Sequence, residues 1–149
     1  MKKTTKYIIP KKEDLERWFN EYNEMYFDSL LSPCELIVKT RHDNTLAEYV
    51  YNKKRCKIRI ARNVYWTDEK LKLTLIHEMV HHYVQEVLKV NSNFFSHGRV
   101  FRKVSRMLRK KYGLRVNLWE LSLPHWKGKK KPSILKELTV RFISFILPT

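Results

Sequence analysis

Between residues 68 and 89 the chain reads as one helix whose apolar face is interrupted by three polar residues. Leu71, Leu75, Ile76, Met79, Val80, Tyr83, Val84 and Val87 recur at three- and four-residue spacing, which makes a broad buried face. Thr67 is placed to cap this helix, and Asp68 and Glu69 suit its positive end. Inside the apolar stretch stands His77-Glu78-Met79-Val80-His81. Polar groups without partners are costly in a core, so a helix carrying them idly would turn them to solvent. Residues i and i+4 lie on one helical face, one turn apart. His77 and His81 can therefore reach one metal ion. Zinc takes such nitrogen ligands in a tetrahedral shell and keeps one position open when it is catalytic. Glu78, next to the first ligand, can face that position as a base.

A catalytic zinc takes three protein ligands, so a third is required. The candidates are His42, His82, His97, His125 and the acidic residues. His82 lies about 100° from His81 around the helix and reads as a boundary or surface residue. His42 and His125 fall in turn-like segments and read as surface residues. His97 opens a further helix over 97–112, ended by Gly113. Gly98 after it permits close backbone approach.

The rest of the chain frames this helix. Residues 12–31 read as an amphipathic helix with Leu15, Trp18, Phe19, Tyr22, Met25 and Tyr26 on one stripe, ended by Pro33. Residues 34–62 alternate, as at Leu36 and Val38 and at Ile58 and Ile60. They predict three short strands, expected antiparallel, with turns at His42-Asp43-Asn44 and Asn52-Lys53-Lys54. The expected class is α+β, a small antiparallel sheet packed on the metal-binding helix and flanking helices. Residues 1–120 form the expected domain, and 121–149 a basic tail with a short amphipathic helix through Leu135, Leu138, Phe142 and Ile146.

The net charge of +16 is unevenly placed, since residues 99–149 carry fourteen basic and two acidic side chains. Crowding one sign costs self-repulsion unless a polyanion offsets it, and nucleic acid is the obvious polyanion. On the helix from His97, Arg99, Arg102, Lys103, Arg106 and Lys110 fall on one side. Val100, Phe101, Val104, Met107 and Leu108 fall on the other, as core. Lys127, Lys129, Lys130 and Lys131, beside Trp126, can extend the contact, with stacking on single-stranded bases.

Cys34 and Cys56 are too few for a disulfide framework or a four-cysteine zinc site. They are expected as buried free thiols in a reducing compartment, with a single bridge as the alternative. Met1 to Pro10 is not followed by an apolar leader segment, and no run reaches the ~18 apolar residues of a membrane span. The expectation is an intracellular monomer, cytoplasmic or associated with the nucleoid or nucleus, with no membrane partner.

His77-Glu78-Met79-Val80-His81 followed by Ser96-His97-Gly98-Arg99-Val100-Phe101 resembles the SprT-like zinc metalloproteases. The order of flanking elements is similar too, and the resemblance spans roughly residues 13–115. It implies a zincin-like core, one Zn2+ per chain on His77, His81 and His97, and Glu78 as catalytic base. It also implies peptide-bond hydrolysis in proteins on, or crosslinked to, DNA. Tyr83 and Arg99 are candidate oxyanion donors, and a substrate strand could add to a sheet edge near residues 46–60. Many members carry a cysteine-rich zinc ribbon after the core, whereas this chain has no cysteine after Cys56. A zinc-containing nucleic-acid-binding module without peptidase turnover is the alternative.

Overall fold

A computed structural model describes residues 4–53, 55–91, 97–116 and 123–126. Helix α1 spans Lys12–Tyr26 and buries Leu15, Trp18 and Phe19. It stops short of the expected residue 31. The Asn23 carbonyl accepts from the N–H groups of Phe27 and Ser29, and Asp28 and Ser29 take positive φ. The Asn23 side chain then clasps Leu31 through both its backbone N–H and its carbonyl, at 3.1 and 3.0 Å. Asn and Asp accept the left-handed conformation more readily than most residues, which suits Asp28 to this reversal.

Strands β1 (Glu35–Lys39), β2 (Ala47–Asn52) and β3 (Arg55–Ala61) form a sheet in the order β1-β3-β2. β2 and β3 are an antiparallel hairpin, as expected. β1, however, pairs parallel to β3, with Glu35 opposite Lys57 and Lys39 opposite Ala61. The expected all-antiparallel sheet is therefore mixed. The cause lies in the link from β1 to β2, which crosses the end of β3 instead of making a tight hairpin. The Asn63 side chain holds Arg41 from both sides, accepting from its N–H and donating to its carbonyl, each at 2.8 Å. Asp43 accepts from Thr45 N–H and pairs with the Arg41 guanidinium. Leu46 O accepts from Ala61 N–H. This leaves a slot between β1 and β2 that β3 fills.

Alternation sets the faces. Leu36, Cys56, Ile58 and Ile60 point into the core, while Glu35–Lys57 and Glu48–Arg59 pair on the other face. Helix α2 (Asp68–His82) lies across the inner face, capped by the Thr67 hydroxyl accepting from Lys70 N–H. It runs on into a π-helical turn over Tyr83–Val87, whose wider winding places Leu88 N–H on Tyr83 O. Helix α3 (Arg99–Tyr112) packs on α2 with Phe101, Val104 and Leu108. It ends at Gly113, φ +70°, where Gly113 N–H reaches Arg109 O and Leu114 N–H reaches Leu108 O. Met107, expected in the core, is 44% exposed.

Packing continues past residue 120. Leu123 and Trp126 are buried, Trp126 N–H donates to Asn63 O, and Pro124 O accepts from Tyr65 N–H. The basic run 127–131 and the expected helix beyond it lie outside the described residues. Among the described residues no helix is long and apolar enough to cross a membrane.

Candidate metal centre

Covered by the sheet, α1 and α3, α2 has every residue from Thr74 to His82 buried. One turn apart on it, His77 and His81 face the head of α3. His97, just before that helix, comes to meet them. Its Nε2 lies 3.0 Å from Nε2 of His77 and 3.2 Å from Nε2 of His81. The three histidines form a group whose ligand atoms all lie within 4.8 Å of one another and which could hold a metal ion.

Tautomers sharpen this. Nδ1 of His77 meets the carbonyl oxygen of Val116. A carbonyl only accepts, so Nδ1 carries the proton and Nε2 of the neutral ring presents a lone pair. One proton on His97 Nε2 can satisfy only one of its two imidazole neighbours, whereas a shared cation satisfies all three rings. Two zinc–nitrogen bonds in a tetrahedral shell set the nitrogens roughly 3.3 Å apart, close to the separations here. The donor set therefore fits a zinc-like metal.

Burial holds these rings neutral. It lowers His77 to about 4, helped by the nearby His97 and opposed by the Val116 bond. Burial lowers His81 to about 3, with His77 and His97 adding to it, and lowers His97 as well. Neutral imidazoles are the ligand-competent form. Phe101 is the floor of the centre, with its ring centroid 5.0, 4.5 and 4.9 Å from those of His77, His81 and His97. Sequence reasoning placed Phe101 in the core but missed that it touches all three.

Glu78 is buried beside the centre. Burial pushes its carboxyl up to about 8, and the Glu48 charge adds, while the backbone N–H of Tyr49 opposes by donating to it. That N–H links the edge strand β2 to α2. The Tyr49 ring also lies almost parallel to His81, 6.3 Å between centroids.

The remaining candidates separate cleanly. His42 is exposed, as expected. His125 is half-buried, bridged to Val64, with Nε2 on Thr45 O at 3.3 Å. His82 is no surface residue: it is 0% exposed and meets Tyr49, Ser32 and Cys56. Tyr83 packs on Phe27, 5.7 Å between rings, and Arg99 is exposed. Arg102, Lys103, Arg106 and Lys110 are exposed on α3 too, joined by Arg109 and Lys111, which sequence reasoning left out. Lys127, Lys129, Lys130 and Lys131 lie outside the described residues. Cys34 and Cys56, expected as free thiols, are paired, with Cα atoms 5.0 Å apart.

A search of curated proteins finds no match. The model of the SprT-like family matches residues 15–120, a stretch that takes in the sheet, α2, α3 and all three histidines. The chain belongs to the SprT-like family, and its domain is of metallopeptidase type.

Proposed function

We propose that the chain is a zinc metalloendopeptidase that cleaves proteins bound or crosslinked to DNA. The observation that carries this is the convergence of three Nε2 atoms beside a buried glutamate. His77, His81 and His97 would hold the ion. When bound, it supplies a Lewis acid that lowers the pKa of a water and whose charge opposes the burial that raises Glu78. Glu78 takes a proton from the attacking water on its carboxylate and returns it to the leaving amine. His77 keeps its Nδ1 proton on Val116 O throughout, so its ring does not turn. A substrate strand added along the outer edge of β2 would pass over Glu78, because the Tyr49 amide already points there.

The charge supports a DNA-associated substrate. Among the described residues, Arg99, Arg102, Lys103, Arg106 and Lys110 take part in no ion pair. Their row starts two residues from His97, so a phosphate backbone bound there would hold attached protein near the three histidines.

The test is Glu78→Gln. It should retain one equivalent of metal and lose proteolysis by about 10²–10⁴-fold. Unchanged cleavage would overturn the assignment. Casein cleavage with and without single-stranded DNA, against a chelator control, separates the peptidase from a binding module without turnover.

A further inference from the structure

One residue after His81, α2 turns a different side chain into a different cluster. Nε2 of His82 lies 3.6 Å from Sγ of Cys56 and 3.6 Å from Oε2 of Glu86. Cys34, Cys56 and His82 form a second group whose ligand atoms all lie within 4.8 Å of one another. The donors come from four places: Cys34 just before β1, Cys56 in β3, His82 at the end of α2, and Glu86 in the π-helical turn. Cys56 and His82 are buried, whereas Cys34 is half-buried and opens one side to solvent.

We propose that, with the Cys34–Cys56 pair reduced, this cluster is a second metal site for a thiophilic divalent ion such as Zn2+. The two thiolates and His82 Nε2 are its ligands, and the Glu86 carboxylate, 3.6 Å from that nitrogen, is a candidate for the fourth position. Two sulfurs, an imidazole nitrogen and a carboxylate are donors that zinc accepts together. Sulfur and nitrogen ligands on one tetrahedral zinc lie roughly 3.5 Å apart, and the Cys56–His82 pair is already at that spacing.

The surroundings hold the donors in place, as at built metal sites. The Tyr49 hydroxyl lies 3.0 Å from Nδ1 of His82. It can accept an Nδ1–H and so leave Nε2 as a lone pair. Glu86 is held by Ser32, whose N–H and hydroxyl both donate to its carboxylate. With the sulfurs paired, the other tautomer is served, because Nε2–H can donate to Ser32 O at 3.0 Å.

The chemistry balances with a dithiol as reductant. Two electrons and two protons pass to the Cys34–Cys56 bond, giving two thiols, and the dithiol closes to its own disulfide. Metal binding then releases the thiol protons. The bound ion ties together the segment before β1, the central strand and the end of α2.

The site is read by Co2+ titration of the full chain, before and after reduction by a dithiol. Reduced protein should bind one more equivalent than oxidised protein and gain the intense thiolate-to-cobalt charge-transfer absorption. Zn2+ should also slow alkylation of Cys34 and Cys56 in the reduced wild-type chain at least tenfold. Cys34→Ser with Cys56→Ser should lose the absorption and the extra equivalent. Reduced protein without the absorption, thiols alkylated equally fast with and without Zn2+, or sulfurs that a dithiol leaves bonded would each overturn the proposal. The three-histidine centre holds no sulfur, so its failure would change the metal count and leave the absorption untouched.

Discussion

Val116, 39 residues beyond His77 in sequence, takes the Nδ1 proton of that histidine on its carbonyl oxygen. The contact exists because α3 ends in a left-handed turn at Gly113, after which the chain folds back to bury Val116. A candidate metal ligand on one helix is thus aimed by the chain after another.

That dependence makes Gly113→Ala informative. A Cβ there meets nothing within 4 Å, so the strain comes only from φ +70°. The substitution should cost about 1–2 kcal/mol and weaken metal retention as the Val116 carbonyl shifts. Thermal denaturation and metal competition by a chelator read the two effects. Gly113→Asn, which tolerates this conformation better, should recover much of both.

Phe101 supports the three imidazoles from one side. Phe101→Leu keeps an apolar side chain but removes the flat ring, and should cost about 1–2 kcal/mol. Metal affinity should fall by roughly tenfold, the low end for loss of a group that orients ligands. Unaltered affinity with lowered stability would make Phe101 a packing residue alone.

Metal removal should uncover a stability maximum near pH 6.5. His77 and His81 have folded values of about 4 and 3, below the ordinary 6.5. As pH falls from 6.5 the unfolded chain takes up protons that the folded chain refuses, and stability drops. Glu78 works the other way, with a folded value of about 8 against an ordinary 4.5. In that window the folded chain keeps a proton that the unfolded chain has lost, so stability falls as pH rises. Two histidines outweigh one glutamate below 6.5, and Glu78 acts alone above it. Melting curves in chelator from about pH 4 to 9 test this, and a flat profile from 6.5 to 8 would contradict the Glu78 shift. Glu78→Gln should remove the alkaline decline.

For nucleic acid, the expected signature is a salt slope. Arg102→Ala with Arg106→Ala should weaken DNA binding evenly across sequences and reduce the slope of log affinity against log salt by about two. A slope unchanged by both substitutions would remove α3 from the interface.

The candidate metal centre was legible because its signals are local. His77 and His81 share a helical face, and Gly98 marks a helix start at which His97 could return. Other features depend on which elements become neighbours. Alternation in residues 34–62 tells which side chains share a face, but not which strand lies beside which, so β1 was expected antiparallel. That error also hid the cysteines. Extending the observed register, Glu35 opposite Lys57, by one residue sets Cys34 opposite Cys56. The spacing of His82 predicts a boundary or surface residue because it fixes position relative to the candidate ligand face alone. α2 is covered on most sides, so turning about 100° from His81 does not reach solvent. Such a helix needs a polar partner for each polar residue, and His82 finds them in Tyr49 and Ser32.

The strand order has a consequence in time. β3 lies between two strands that both precede it in sequence, so the sheet cannot assemble in the order the chain is made. β2 and β3 are joined by a tight turn through Lys53, φ +44°, and contacts this short in sequence form early. β1 has no strand partner until β3 has been made. β1 can pair only with β3, so the sheet closes through the same contact that brings Cys34 to Cys56.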